Sequence, residues 1–271
     1  MQVLKTVFDT SAPALTYERP LRDVRREDCF FYHTMTFSDD TVVEGGWDLR
    51  GRFADYTGHI DFKGARVLDV GTAGGFLSFS AEEAGAREVV SFDQDTAARQ
   101  HLLPFAGSPF MTDHETWVRD HSRAMQAWKN GYWYAHQDRN SRAKALYGDV
   151  YDLPAGIGRF DVVILGAILE HLGDPVRAIG SMSKVAAEHI VINTDYIEGD
   201  GPMARFNGDA SHPASSYIFW TYTIETYAKI LAICGFEIER VHKDTFLGTP
   251  DAPGGRRPDM QRAAIVARRI A

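Results

Sequence analysis

The sequence predicts an α/β fold: a mostly parallel sheet flanked by crossover helices and closed by an antiparallel strand at the C-terminus. Three observations carry this. From Gly64 onward, short apolar runs alternate with segments of helical period, as expected when helices join parallel strands. A turn of small residues, Gly71-Thr72-Ala73-Gly74-Gly75, joins the first of these strands to the first helix. Two late apolar runs, separated by the Gly/Pro-rich stretch "GTPDAPGGRRPD", read as an antiparallel pair.

Taken in order, Arg66 to Val70 is an apolar strand and Gly75 to Ala84 a helix. Glu88 to Phe92 is the next strand, with a helix starting near Asp95, and a short strand is expected at Ala145 to Tyr147. Phe160 to Leu165 is the fourth strand. Asp174 then caps a helix that opens with Pro175 and runs to Ala187. His189 to Asn193 is the fifth strand, and Thr223 to Cys234 is a helix stopped at Gly235. Phe236 to His242 and Ala263 to Ala267 form the closing pair. Three aromatic-rich segments lie outside this alternation: an N-terminal cap or lid at 1–63, and insertions at about 101–144 and 195–222 within the main domain at 64–271. Long excursions from a compact α/β domain tend to be binding loops, so all three are expected to cover a pocket.

Composition narrows the function. The 271 residues carry a net charge of -8, which argues against a protein-wide electrostatic interaction with nucleic acid. One basic cluster, Arg119, Arg123, Lys129, Arg139, Arg142 and Lys144, reads either as a solvated helical face or as a local nucleic-acid contact. The two cysteines, Cys29 and Cys234, form no CxxC pair, so neither a disulfide framework nor a thiolate zinc site is indicated. No ligand spacing supports a metal site around Glu170 and His171. No signal-like or membrane-length apolar run is present, so the chain reads as cytoplasmic. A small-molecule acceptor is the expected partner, with a homodimer as a further candidate.

The glycine turn carries the most chemistry. Glycines let the backbone approach a ligand, and the helix behind them offers unpaired N–H groups. Asp93, at the end of the next strand, is placed to take both hydroxyls of a ribose. A dinucleotide fingerprint would need glycine at 71, 73 and 76, but 73 is Ala and 76 is Phe. Asp69, two residues before the first glycine, suits a ligand ammonium better than a pyrophosphate. "RVLDVGTAGG" resembles motif I of the class I methyltransferases, with Asp93 and Gln94 in the ribose motif and Asp149 and Val150 of "YGDVYDLP" in the adenine motif. This resemblance implies S-adenosyl-L-methionine as cofactor, S-adenosylhomocysteine as product, and a Rossmann-like methyltransferase sheet. The implied cofactor residues are Asp69, Gly71, Thr72, Ala73, Gly75, Asp93, Gln94, Asp149 and Val150.

The chain also resembles, more narrowly, the tRNA wobble-uridine (mo5U34/carboxymethyl) methyltransferase-like family. The shared features are "FYHTMTFSDDTVVEGGWDLRGRF", "ILEHLGDP", "SSYIFWTYTIETYAKILAICGF" and "QRAAIVARR". Through it, Trp47 and Arg50 join the implied cofactor residues. Family members that use a carboxylated cofactor hold its extra carboxylate with a lysine, a tyrosine and an arginine. Here no Lys or Arg lies between Phe30 and Trp47, Glu170 stands at the tyrosine position, and Arg262 alone matches. Two facing carboxylates repel by about 4 kcal/mol at ~4 Å in an intermediate dielectric, so ordinary methyl transfer is expected.

Glu170 and His171 follow a strand whose carboxyl end faces the ligand crevice. Glu170 is expected to be an unpaired general base with a pKa raised by aromatic walls, and His171 mainly a support. Tyr32, His33, Trp133, Tyr217, Trp220 and Arg262 are the candidate substrate residues. The aromatics of the insertions are open to a second reading as ordinary packing. A small apolar or aromatic acceptor follows from the first reading, methylated at an alkene carbon, as in a prenyl diphosphate, or at oxygen or nitrogen. A tRNA modifier and a non-catalytic S-adenosylmethionine-binding protein are the alternatives.

Overall fold

The computed structural model describes residues 15–97, 108–212, 218–250 and 255–271. A seven-stranded sheet is built from β3 (Arg66–Val70), β4 (Glu88–Asp93), β5 (Lys144–Tyr147), β6 (Phe160–Gly166), β7 (Ala186–Thr194), β10 (Phe236–Leu247) and β11 (Asp259–Arg269). Two small ribbons complete the strands: β1 (Met35–Thr36) with β2 (Val42–Val43), and β8 (Ala204–Phe206) with β9 (Trp220–Tyr222). The order across the large sheet is β10-β11-β7-β6-β3-β4-β5. Strands β3 to β7 pair in parallel, whereas β11 runs antiparallel to both β7 and β10. The expected mostly parallel sheet with an antiparallel C-terminal strand is present. The helix expected near Asp95 falls largely outside the described residues.

The parallel strands are apolar because both faces are covered. Leu68, Val90, Val163 and Ile190 face one core layer, shared with Ala178, Ile179 and Met182 of α5 (Pro175–Val185) and Tyr227 and Leu231 of α6 (Ile224–Ile233). Val67, Val89, Val162 and Val191 face the other, with Phe76, Leu77 and Phe79 of α2 (Phe76–Glu83) and Tyr132 and Trp133 of α4 (His114–Asp138). This alternation is the period of two expected of a strand. Helix starts follow the sequence signals: Asp174 accepts from the amide of Arg177 at 2.9 Å, and the side chain of Thr223 accepts from the amide of Thr226.

Among the described residues the short helices are α1 (Phe53–Tyr56), α3 (Pro109–Thr112) and single 3-10 turns at Arg26–Asp28 and Leu169–His171. The N-terminal segment crosses the α2 side of the sheet, where Phe31, Met35 and Phe37 enter that core layer. The β8–β9 ribbon lies on the other side and is tied down by the Phe219 amide, which donates to the Glu170 carbonyl at 2.7 Å. Strand order reverses at β3, between β4 and β6, so the carboxyl ends of β3 and β6 border the crevice where such sheets bind ligands. Among the described residues, no helix is long and apolar enough to cross a membrane.

Candidate active site

The glycine turn is held in a shape that few side chains tolerate. Gly71 has φ 77° and Gly75 φ 84°. A Cβ at Gly71 would stand 2.8 Å from Ile168, and one at Gly75 2.5 Å from Phe79 and 2.8 Å from Tyr132. The turn therefore needs glycine for both backbone conformation and close approach. Ala73 also has positive φ, at 46°, and its amide donates to Asp93 Oδ2 at 2.8 Å. Asp93 thus clamps the turn while standing at the carboxyl end of β4. Its second oxygen accepts from the Gln94 amide at 2.7 Å.

Asp69 lies under the turn and is fully buried. Its Oδ2 accepts from Ser78 Oγ at 2.7 Å and Thr72 Oγ1 at 2.9 Å. Ser78 is joined through Ser91 Oγ at 2.7 Å to Tyr132 Oη, which lies 2.9 Å from Ser91. A chain of hydroxyls therefore runs from α4 to β3. Asp69 Oδ1, by contrast, is buried without a hydrogen-bond partner. Burial pushes the Asp69 carboxyl up to about 6 despite the hydroxyls of Ser78 and Thr72. Burial also raises Asp93, against the pull of its two amide donors and Lys129. Lys129 Nζ donates to the Asp95 carbonyl at 2.9 Å and sits 4.1 Å from the Tyr147 ring centroid. Asp149 follows β5 and accepts from the Tyr151 amide at 2.8 Å, while Val150 beside it is buried.

Across the crevice, Arg262 is the centre. It lies on β11 one residue before Ala263, which pairs with Thr194 at the end of β7. Because β11 is antiparallel, its beginning reaches the carboxyl ends of the parallel strands. Arg262 Nη2 donates to Glu170 Oε1 at 2.6 Å, Nη1 to Asp195 Oδ1 at 2.6 Å and Nε to Asn193 Oδ1 at 2.6 Å. The Trp47 ring centroid lies 5.4 Å from its guanidinium carbon, and the Trp47 indole donates to Tyr32 Oη at 3.2 Å.

This geometry overturns the expectation of an unpaired Glu170 with a raised pKa. Burial alone would raise it, but the Arg262 guanidinium and then His171 hold it below its ordinary value. Asp195 goes the other way, because its burial outweighs the pull of Arg262. Asp195 is also less enclosed, its side chain 22% exposed against 2% for Glu170. His171 is partly exposed beside both carboxylates.

Other expected site residues have different surroundings. Arg50 is exposed and paired with Asp48 at 2.7 Å. Trp133 is a core residue, 3% exposed between Tyr132 and His136, so its aromatic bulk serves packing. The Trp220 indole donates to the Gly173 carbonyl at 3.1 Å and braces the ribbon against the loop after Glu170. Tyr217 lies outside the described residues. Trp47 stands with Arg262 rather than with Asp93. His33 is buried beside Phe76, with ring centroids 5.4 Å apart, and burial lowers it to about 4.

Sequence reading missed Asp195, Asn193, Tyr56 and Lys129. Asp195 had a legible signal, a polar run "NTD" straight after an apolar strand, as at Glu170. Tyr56 carried none. It is 3% exposed, and its carbonyl accepts from Asn193 Nδ2 at 2.8 Å. Among the described residues, the one group with metal-holding geometry is Asp55, His59 and His242, which includes neither Glu170 nor His171.

An open α/β sheet with a glycine turn at its switch point, an acid under that turn and a second acid closing the next strand defines the class I, S-adenosylmethionine-dependent methyltransferase. Residues 48–241 match the family described as a methyltransferase domain, and the chain belongs to that family. It is 24% identical over 189 residues to the tRNA U34 carboxymethyltransferase of Campylobacter hominis, covering 69% of this chain and 55% of that protein. The chain thus spans about half the length of this curated relative. The Burkholderia thailandensis 1,6-didemethyltoxoflavin-N1-methyltransferase, solved with its substrate and S-adenosylhomocysteine, aligns with a TM-score of 0.50 and 17% identity. That alignment covers 82% of this chain and 78% of the other. Magnesium protoporphyrin IX methyltransferase from Synechocystis PCC 6803, with bound S-adenosylhomocysteine, gives 0.48 and 16%, covering 82% and 81%. At 17% identity the Burkholderia alignment speaks to the fold alone.

Proposed function

We propose that this protein transfers a methyl group from unmodified S-adenosylmethionine to the oxygen or nitrogen of a small, flat acceptor, with Asp195 receiving the acceptor's proton. The observation that carries this is the charge balance of the crevice. Asp69, Asp93, Glu170 and Asp195 border it against two cations: Lys129, which pulls on Asp93, and Arg262, which already spends hydrogen bonds on Glu170, Asp195 and Asn193. A negatively biased crevice favours a ligand bearing a sulfonium and an ammonium, and disfavours an added carboxylate.

The residues present fit that cofactor. The unpartnered buried Oδ1 of Asp69 offers an acceptor beneath the turn, and Asp93 a second one at the ribose position. S-adenosylmethionine supplies an electrophilic methyl group for in-line displacement. The chain's part is positioning and charge. Asp69 and Asp93 would hold the amino-acid and ribose ends, Asp149 and Val150 the adenine edge, and Gly71 to Gly75 would let the backbone approach. Tyr32 and Trp47, partly exposed beside Arg262, offer aromatic faces to an acceptor. Asp195 suits a proton acceptor because burial raises its carboxyl and part of it remains open.

Alkene methylation rested on an unpaired Glu170 and loses that support. A tRNA substrate, as in the Campylobacter relative, draws support from the basic cluster, but most of its charges are answered locally. Arg139 pairs with Glu83, Arg142 with Glu82 and Lys144 with Glu88, while Arg119 and Arg123 share Asp120. The deciding experiment is calorimetry with S-adenosylmethionine and with its carboxylated form, followed by transfer assays on small phenols and amines and on bulk tRNA. Tighter binding of the unmodified form with transfer to small acceptors supports the proposal. Preference for the carboxylated form, salt-sensitive transfer to tRNA, or binding without transfer to any acceptor overturns it.

A further inference from the structure

Where α1, the turn that follows it and the middle of β10 meet, two imidazoles and a carboxylate converge. His59 Nε2 lies 3.2 Å from Asp55 Oδ1. The His59 and His242 rings meet edge to face with centroids 4.8 Å apart. One ligand atom from each of Asp55, His59 and His242 falls within 4.8 Å of the others. We propose that these three residues form a zinc-class divalent metal site that clips the N-terminal segment to the C-terminal hairpin.

Four features support this reading. Tetrahedral zinc with bonds of about 2.0–2.1 Å needs donor atoms roughly 3.3 Å apart, a spacing Asp55 and His59 already have. The His242 ligand atom lies within 4.8 Å of both. The His242 Nε2 atom is buried and makes no closer polar contact than 3.4 Å, to Asp244 Oδ2. His59 is held there by a left-handed backbone, φ 57°, which costs a non-glycine residue energy. The carboxylates are steadied from behind by Arg52, whose Nε donates to Asp55 Oδ2 at 2.7 Å and whose Nη2 donates to Asp244 Oδ2 at 2.5 Å. Metal-ligating carboxylates are commonly oriented by such outer hydrogen bonds.

The Arg52 charge opposes a cation but is outnumbered by Asp55 and Asp244, so the cluster keeps a net negative charge when both imidazoles are neutral. Two nitrogens and one oxygen match the preferences of zinc rather than magnesium or calcium. A water or the Asp244 carboxylate, whose Oδ2 is 3.4 Å from His242 Nε2, would fill the fourth position. Such a clip would steady the crevice. Tyr56, next to Asp55, packs on Phe246 of β10 with ring centroids 5.2 Å apart, and its carbonyl holds Asn193.

The test is calorimetric titration of the full metal-free chain with zinc chloride, in wild type and in His59→Gln and His242→Gln variants. Both variants are first shown folded by circular dichroism. The expected result is one tight equivalent in wild type, weakened at least tenfold in each variant, with a zinc-dependent rise in Tm that both variants lose. Cobalt substitution should give the visible absorption of a tetrahedral site in wild type alone. Absence of tight binding, or the same equivalent in wild type and both variants, overturns the proposal.

Discussion

Glu170 and Arg262, 92 residues apart in the chain, form an ion pair of 2.6 Å with both side chains 2% exposed. The pair explains how a carboxylate comes to stand at the end of an apolar strand. It is the counter-charge of a guanidinium that the antiparallel β11 delivers into the crevice. Buried pairs contribute little net stability, but removing one member leaves a charge stranded. Arg262 has two carboxylates to satisfy, so its loss is the more damaging.

Arg262→Ala is therefore expected to cost about 3–5 kcal/mol of unfolding free energy at pH 7. Glu170→Gln should cost less, because Asp195 still compensates the guanidinium. Urea unfolding of the two variants would reveal the ordering, and equal losses would contradict it.

Asp69 gives the protein a pH dependence of definite sign. Its folded pKa of about 6 exceeds the unfolded value near 3.8. The folded chain thus holds this proton more tightly. The resulting stability is fully present below about pH 4 and is lost as pH rises through about 6. Asp69→Asn should gain on wild type as pH rises, by up to ~3 kcal/mol between about pH 3 and 7.5 and about half of that between about pH 5 and 7.5. A ligand ammonium favours the ionised carboxylate, so affinity for S-adenosylhomocysteine should strengthen up to tenfold per pH unit below about 6 and level off above. Calorimetry at several pH values on wild type and Asp69→Asn checks both. A flat affinity profile would remove Asp69 from ligand contact.

Gly75 in the glycine turn should not tolerate an added methyl group. Gly75→Ala combines a left-handed φ with a 2.5 Å approach to the Phe79 ring. Strain and overpacking together are expected to cost about 2–4 kcal/mol, with ligand affinity falling in parallel. Thermal unfolding with and without S-adenosylhomocysteine separates the two effects.

These sites differ in how far the sequence exposes them. The strand–glycine–helix unit and Asp93 follow local rules of turn chemistry and spacing, so they are visible in one short stretch. Asp174 and Thr223 as helix caps are equally local. The partner of Glu170 is not, because a β11 residue reaches the crevice only through the register of β11 on β7. Similarity pointed to Arg262 as a ligand-binding group, but its occupation by the chain's own carboxylates is a tertiary fact. Arg50 and Trp133 illustrate the opposite limit. Their side-chain types suit a site, yet a neighbouring Asp48 and a deep core position claim them.

The two crevice carboxylates should separate in catalysis. Glu170 is held ionised below its ordinary pKa and spent on Arg262, so it is a weak base with little freedom. Asp195 shares the same guanidinium but is raised and partly open. On an acceptor that must lose a proton, Asp195→Asn is expected to lower kcat about 10²–10⁴-fold, the usual range for a general base. Its KM for S-adenosylmethionine should barely change. Glu170→Gln should lose less than about tenfold, since amide oxygen can still accept from Arg262. In wild type the acid limb of the kcat profile should report Asp195, with activity rising as pH climbs through its raised pKa. Asp195→Asn should abolish that limb while Glu170→Gln leaves it in place. If Glu170→Gln instead erases the limb and the rate together, the proton goes to Glu170 and the assignment to Asp195 is wrong.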